Sequence, residues 1–329
     1  MKIVILDGNA LNPGDLSWQG FEKLGEVTCY PRTPVEKVVE RIGNAEILIV
    51  NKITIDSKIM DSCPSLKYIG VLATGYNIID TEAAKKRNIV VTNIPAYSTA
   101  AVAQSVFAFI MEFTNGVHAH NKSVMNGDWC KAKDFCYWTH PMTELSGKTL
   151  GIAGFGSIGQ QVAKIALSFG MNVTAFTRSA EKIADFNEKY AILKDDCIVP
   201  VKTVTKGELF EFSDFLTLHC PLTEQTKNFV NEQTLSLMKP SAVLINTSRG
   251  PVVDEYAVRK ALDENRLGGF ACDVISAEPM KEDNPLLGAP RCIITPHVAW
   301  AALETRKRLM DIAEANLKAF LAGKPQNTV

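Results

Sequence analysis

Apolar residues along this chain fall in short consecutive blocks, separated by longer stretches in which they recur at helical spacing. The blocks at residues 3–6, 27–30, 47–50, 68–71 and 89–91 are apolar on both alternating faces, as strands of a parallel sheet covered on both sides require. The stretches between them, such as 34–42 and 81–87, are long enough to cross back as helices. The first hundred residues therefore predict one small doubly wound α/β domain. Ser98 or Thr99 can then cap a helix whose stripe of Val102, Val106, Phe109, Phe113 and Val117 continues until Gly127 stops it. Residues 128–147 hold Trp129, Phe135, Tyr137 and Trp138 with no period, which predicts an ordered loop. Its aromatics belong either to a core or under a partner subunit.

The second half repeats the pattern. An apolar run at 150–153 leads through a glycine-rich turn into a helix with Val162, Ile165, Ala166 and Phe169 on one face. Strands are expected at 173–176, 215–218, 242–245, 269–272 and 292–295, about six in all, with helices at 234–238 and 254–264 and a less regular stretch at 181–207. A closing helix over 303–321, with Leu309, Ile312, Leu317 and Phe320, is expected to pack back on the first domain.

Length fits this division, since 329 residues exceed one ordinary core and suggest about two domains. The formal charge of -1, with acids and bases interspersed, offers no basic stripe to nucleic acid and no polybasic patch to a membrane. The first residues run straight into a strand without a signal peptide's apolar region, and no run is long enough to span a bilayer, so a cytoplasmic protein is expected. Eight cysteines without a C-x-x-C pair suit reduced thiols and predict neither disulfides nor zinc. His118 and His120 stand two apart, face different ways on a helix, and give no metal site.

Chemistry enters at the glycine-rich turn, Gly154-Phe155-Gly156-Ser157-Ile158-Gly159. In such a G-x-G-x-x-G, the first glycine permits the turn, the second lets backbone approach a pyrophosphate, and the third lets helix pack on strand. The unpaired N–H groups of the helix start then receive the phosphates. At the end of the next strand an acid would accept the ribose hydroxyls of NAD, but the chain reads Thr177-Arg178-Ser179 there. A fixed cation flanked by two hydroxyls welcomes a 2′-phosphate, so NADP is favoured over NAD. Three later strands each end in polar residues: Asn246-Thr247-Ser248-Arg249-Gly250, Asp273 through Glu278-Pro279, and Pro296-His297. Strand ends of an α/β sheet are where ligands bind, and these three should converge on one crevice.

Taken in order, GFGSIG, HCPLT, INTSRGPVVDE, DVISAEP and TPHVAWA resemble the signatures of the D-isomer-specific 2-hydroxyacid dehydrogenases, across the whole coenzyme domain. LDG, NPGDLS, VNK at residues 50–52, ATGYNIID at 73–80 and the tryptophan of HVAWA are further similar to the glycerate dehydrogenase (hydroxypyruvate reductase) branch. The resemblance implies two doubly wound α/β domains, a Rossmann NAD(P)-binding domain over 99–299 inserted in a flavodoxin-like substrate domain of 1–98 and 300–329. Closure about the two crossings would bring Thr74 and Gly75 onto the substrate. It also implies an oxidoreductase that interconverts a small 2-keto acid, hydroxypyruvate or glyoxylate, with its D-2-hydroxy acid.

The residues suit that chemistry. Arg249 matches a carboxylate in geometry and does not titrate, His297 is the natural acid/base near neutrality, and Glu278 would hold the imidazole by an adjacent negative charge. By the same resemblance, Asp273 would face the nicotinamide carboxamide, with a loop cap as its other reading. Cys220 and Pro221 would line the adenine side, with Thr226, Thr247 and Ser248 also on the cofactor. Thr74 and Gly75 would cradle the substrate carboxylate with backbone N–H groups, and Asn51 and Lys52 would touch the substrate. A homodimer joined through residues 98–138 is expected. Another 2-hydroxy acid (D-lactate, 2-ketogluconate or phosphoglycerate) or a dinucleotide-sensing corepressor-like binding protein is the alternative.

Overall fold

The computed structural model describes residues 1–190, 192–194 and 197–329, which divide into two compact units, Met1–Ser98 with Trp300–Val329 and Thr99–Ala299. The first unit is built on β1 (Lys2–Ile5), β2 (Glu26–Cys29), β3 (Ile47–Val50), β4 (Tyr68–Val71) and β5 (Val90–Thr92). All its pairings are parallel, and the order β2-β1-β3-β4-β5 is the flavodoxin-like one. Consecutive apolar positions are explained by the two faces they serve. Val4, Leu6, Leu48, Val50, Ile69 and Val71 pack under α2 (Val38–Ile42), α3 (Ser57–Ser62) and α4 (Thr81–Lys86), which follow α1 (Gln19–Glu22). The alternate residues Ile3, Ile5, Ile47, Ile49 and Tyr68 meet Phe21 and the C-terminal helix Leu303–Leu321 through Leu309, Met310 and Leu317. Asp56 and Asp80 start two of these helices by accepting hydrogen bonds from Ile59 N and Ala83 N, both at 2.9 Å.

The second unit begins with α5 (Thr99–Asn115) and α6 (Val117–Met125), then β6 (Thr149–Ala153), α7 (Ser157–Ser168), β7 (Asn172–Phe176) and α8 (Glu181–Tyr190). A small antiparallel hairpin, β8 (Ile192–Lys194) and β9 (Cys197–Val199), precedes β10 (Lys202–Thr203), α9 (Lys206–Phe212), β11 (Phe215–Leu218), α10 (Glu232–Leu235), β12 (Val243–Asn246), α11 (Glu255–Asp263), β13 (Gly269–Cys272) and β14 (Cys292–Ile294). Its main sheet has the order β10-β7-β6-β11-β12-β13-β14 with every pairing parallel, which extends the Rossmann order. Val106, Phe107 and Ile110 of α5 and Val162, Ala163 and Ala166 of α7 cover one face. Leu209, Phe210, Val258 and Leu262 cover the other.

Three expectations need correction. The long helix from residue 99 is broken at Gly116, whose left-handed φ of 54° ends α5 and sets α6 at a 53° bend. Val117 therefore leaves the buried stripe and is 67% exposed. The sheet has seven strands where six were counted, because β10 is too short to show a period. The helix expected at 234–238 runs over Glu232–Leu235, because Asn231 and Thr234 form a reciprocal cap that starts it earlier. The aromatics of 128–147 stay out of the core, with Trp129 held by a hydrogen bond from its indole N–H to Phe135 O. No single helix among the described residues is long and apolar enough to cross a membrane.

Candidate active site

The glycine-rich turn joins β6 to α7, and its three glycines differ in what surrounds them. Gly154 has φ 95°, and a Cβ there would lie 2.8 Å from Cys220 N, so the turn needs glycine twice over. A Cβ on Gly159 would overlap the Gly154 carbonyl oxygen, which lets α7 start against the strand end. At Gly156 a Cβ would meet nothing, so this residue faces open space as the N-cap of a twelve-residue helix with no side chain capping it. Exposed N–H groups of a helix start beside an open glycine suit a pyrophosphate. Phe155 contributes only backbone here, since its ring is buried against Phe186, and Ile158 leans on the same core. Ser157 is exposed at the helix start.

From this turn a cleft of about 390 Å³ runs to the ends of β7 and β11. Thr177, Arg178 and Ser179 line it together with Lys182 and Lys206, and among the described residues no carboxylate does. The two lysines have no signal in a pattern of apolar positions; each reaches the cleft because its helix starts beside a strand end. On the far side are His219, Cys220, Pro221 and Thr226. Burial raises the Cys220 thiol's pKa, so it serves as an uncharged wall. The hydroxyl of Thr226 is occupied within its loop, donating to Pro221 O at 2.6 Å and accepting from Thr223 N at 2.7 Å, so it shapes this wall. Burial also depresses the pKa of His219 to about 3, leaving a neutral imidazole 3.0 Å from the Thr217 hydroxyl.

Because β12, β13 and β14 are adjacent and parallel, the loops after them leave the same edge of the sheet. After β12, the buried Asn246 accepts hydrogen bonds from Ser248 N (3.0 Å) and Ser248 Oγ (2.8 Å) and donates to Arg249 O (2.9 Å). The Ser248 hydroxyl is thereby a brace of the loop. Thr247 Oγ1 is buried with no hydrogen-bond partner among the described residues, which is unusual for a native hydroxyl and fits a polar ligand group. Arg249 is exposed at the loop's end, and Gly250 beside it admits no side chain because Ile275 and Ser276 press against it.

That contact couples the Arg249 loop to the segment carrying Glu278. The buried Glu255 holds the same segment, accepting from Ser276 N at 2.6 Å and Asn284 Nδ2 at 2.9 Å. Glu278 accepts from Ile275 N at 3.3 Å and meets His297 Nδ1 at 2.7 Å, so the second and third strand ends are joined. His297 has φ 55°, a left-handed conformation for a non-glycine residue. Asp273, 2% exposed, fixes its surroundings by accepting from Thr295 Oγ1 (2.5 Å), Val298 N (2.8 Å) and Ala299 N (2.9 Å). Its carboxylate is thus a loop cap, whatever else it touches. No signal in the sequence marks Glu255 as a brace, although it ends the run RGPVVDE, because its partners are 21 and 29 residues away.

In the first unit, both oxygens of Asp7 accept from Asn51 N (2.9 and 3.1 Å) and one accepts from Lys52 N (2.7 Å), which fixes the turn after β3. Burial raises the Asp7 pKa, and these N–H groups lower it in part. The Thr74 hydroxyl donates to Ile94 O at 2.7 Å, leaving the backbone of Thr74 and Gly75 as what this turn offers a ligand. Among the described residues no cluster of His, Cys, Asp or Glu could hold a metal ion.

Residues 107–299 match the family described as D-isomer specific 2-hydroxyacid dehydrogenase, NAD binding domain. The chain is 45% identical over 332 residues to a hydroxypyruvate reductase of Blautia hydrogenotrophica, covering 100% of this chain and 99% of the relative. It is 39% identical to a glycerate dehydrogenase of Methylorubrum extorquens, covering 100% and 98%. Among solved structures, an acyclic imino acid reductase in complex with NADPH and D-Arg superposes with a TM-score of 0.83 at 31% identity, with both chains fully covered.

Proposed function

The chain belongs to the D-isomer-specific 2-hydroxyacid dehydrogenase family, as an NAD(P)-dependent oxidoreductase that reduces small 2-keto acids, and from that premise we propose that it converts hydroxypyruvate or glyoxylate to the D-2-hydroxy acid with NADPH. The observation that carries the reading is the 2.7 Å contact between Glu278 and His297, on loops that leave the same sheet edge as the Arg249 loop.

The open Gly156 and the start of α7 suit the pyrophosphate, and the unpartnered Thr247 hydroxyl suits the nicotinamide end. Asp273 is assigned to the carboxamide in addition to its loop. The bound reduced nicotinamide supplies the hydride for the carbonyl carbon. Arg249 presents a fork of N–H donors to the substrate carboxylate and polarises the adjoining carbonyl. With Nδ1 of His297 engaged by Glu278, the proton for the carbonyl oxygen leaves from Nε2. Glu278 stabilises the imidazolium before transfer and fixes the ring's orientation throughout. In the first unit, Asn51, Lys52, Thr74 and Gly75 are assigned to the substrate.

NADP is proposed over NAD because Arg178, Lys182 and Lys206 line the cleft without a carboxylate among them. A cytoplasmic setting fits the free cysteines. Met125 (76% exposed), Trp129 (53%), Phe135 (88%) and Trp138 (66%) form the apolar surface proposed to join a homodimer. Measuring kcat/KM for a series of 2-keto acids with each cofactor tests the assignment. Hydroxypyruvate or glyoxylate with NADPH should lead; a lead for pyruvate, 2-ketogluconate or a phosphorylated acid, or a clear preference for NADH, contradicts it.

A further inference from the structure

One cation in the coenzyme cleft stands apart. Lys206 follows β10, the strand beside β7, and the pairing of the two continues to Val204 N, which donates to Ala175 O at 3.1 Å. Lys206 and Arg178 therefore leave neighbouring parallel strands at the same edge, and both line the cleft. Arg178 is exposed, whereas Lys206 is half-buried with its ammonium 4.3 Å from the centroid of the Phe229 ring. Phe229 is itself stacked on Phe176, so the ammonium rests on a rigid aromatic floor.

Among the described residues, no acid forms an ion pair with this charge. The nearest carboxylate in sequence, Glu208, turns back on Thr205, taking hydrogen bonds from its N–H and hydroxyl at 2.8 Å each. Burial lowers the Lys206 pKa, and no acid among the described residues raises it. A cation held partly out of water without a counter-ion is costly unless a ligand supplies the negative charge.

We propose that Lys206 is a specificity-determining residue whose ammonium, together with the Arg178 guanidinium, receives the 2′-phosphate of the coenzyme. The inference rests on the NADP reading and adds a residue to it. Of the Lys206 side chain, only the charge over the ring floor distinguishes a phosphorylated from an unphosphorylated ribose.

The test compares the affinity of the full-length protein for adenosine 2′,5′-bisphosphate and for 5′-AMP, in wild type, Lys206→Met and Lys206→Arg. Methionine keeps the stem without the charge. Wild type should prefer the bisphosphate. Lys206→Met should lose roughly tenfold in affinity for it, the size of one charge-assisted hydrogen bond, with 5′-AMP binding unchanged and Lys206→Arg retaining the preference. If wild type prefers the bisphosphate and Lys206→Met keeps that preference in full, the role of Lys206 is overturned while the NADP reading stands. An equal loss for both ligands assigns the side chain to packing and overturns it likewise. A wild type that binds both ligands equally overturns both readings.

Discussion

His297 occupies a left-handed conformation that costs a non-glycine residue on the order of 1 kcal/mol, and three hydrogen bonds to the buried Asp273 carboxylate hold the loop that imposes it. That Arg249, Glu278 and His297 lie on loops after three adjacent strands was legible in residue order, and the roles proposed for them rest on residue type. A loop cap was one of two readings of Asp273, whereas the hydrogen bonds made by Thr226, Ser248 and Glu255 were not legible. Their partners are set by how loops fold against one another, and a hydroxyl that braces a turn has the same letter as one that binds a ribose. His219 adds a dependence on pH. Its folded pKa of about 3 lies below the ordinary 6.5, so between these values the unfolded chain binds the extra proton and stability falls as pH falls. The ceiling is about 1.4 kcal/mol per pH unit, and the residue keeps some surface, so the observed slope should be smaller. In His219→Gln, which can still meet the Thr217 hydroxyl, urea unfolding should show a smaller loss of stability between about pH 7 and about pH 5 than in wild type. Equal losses would show that His219 is not the titrating group.

The β6–turn–α7 element shows why a motif and its geometry carry different information. The spacing of Gly154, Gly156 and Gly159 was legible, but which glycine is needed for the fold and which for the ligand was not. With backbone in the way at Gly159 and open space at Gly156, the two alanine variants should part company. Gly159→Ala should lower stability by about 1–3 kcal/mol, as overpacking does, and impair coenzyme binding as a consequence. Gly156→Ala should melt near wild type and weaken coenzyme binding alone. Thermal melts with coenzyme titrations check this; equal stability losses would contradict the assignment. Elements that escaped the sequence pattern did so for local reasons: β10 spans two residues, and Gly116 interrupts an apolar stripe that otherwise continues without a break.

For the molecule as a whole, runs apolar on both faces already implied parallel sheets under helices on each side, whereas the strand orders, in which β2 to β3 and β10 to β11 skip over other strands, were not legible in the pattern. What covers the exposed aromatics of residues 125–138 was not legible, since an unpaired aromatic loop reads alike as core or interface. Sedimentation at micromolar concentration should give a dimer, and serine at both Trp129 and Phe135 should shift it toward monomer; a wild-type monomer would remove the proposed interface. One reduction joins the dinucleotide turn to the Arg249, Glu278 and His297 constellation, and following NADPH oxidation with hydroxypyruvate as the only acceptor, in wild type and His297→Ala, tests that union. Wild type should oxidise one NADPH per D-glycerate formed, and His297→Ala should retain coenzyme affinity while losing on the order of 10²–10⁴ in kcat. Unchanged turnover in His297→Ala, or a wild type that binds NADPH and reduces no 2-keto acid, would contradict the account.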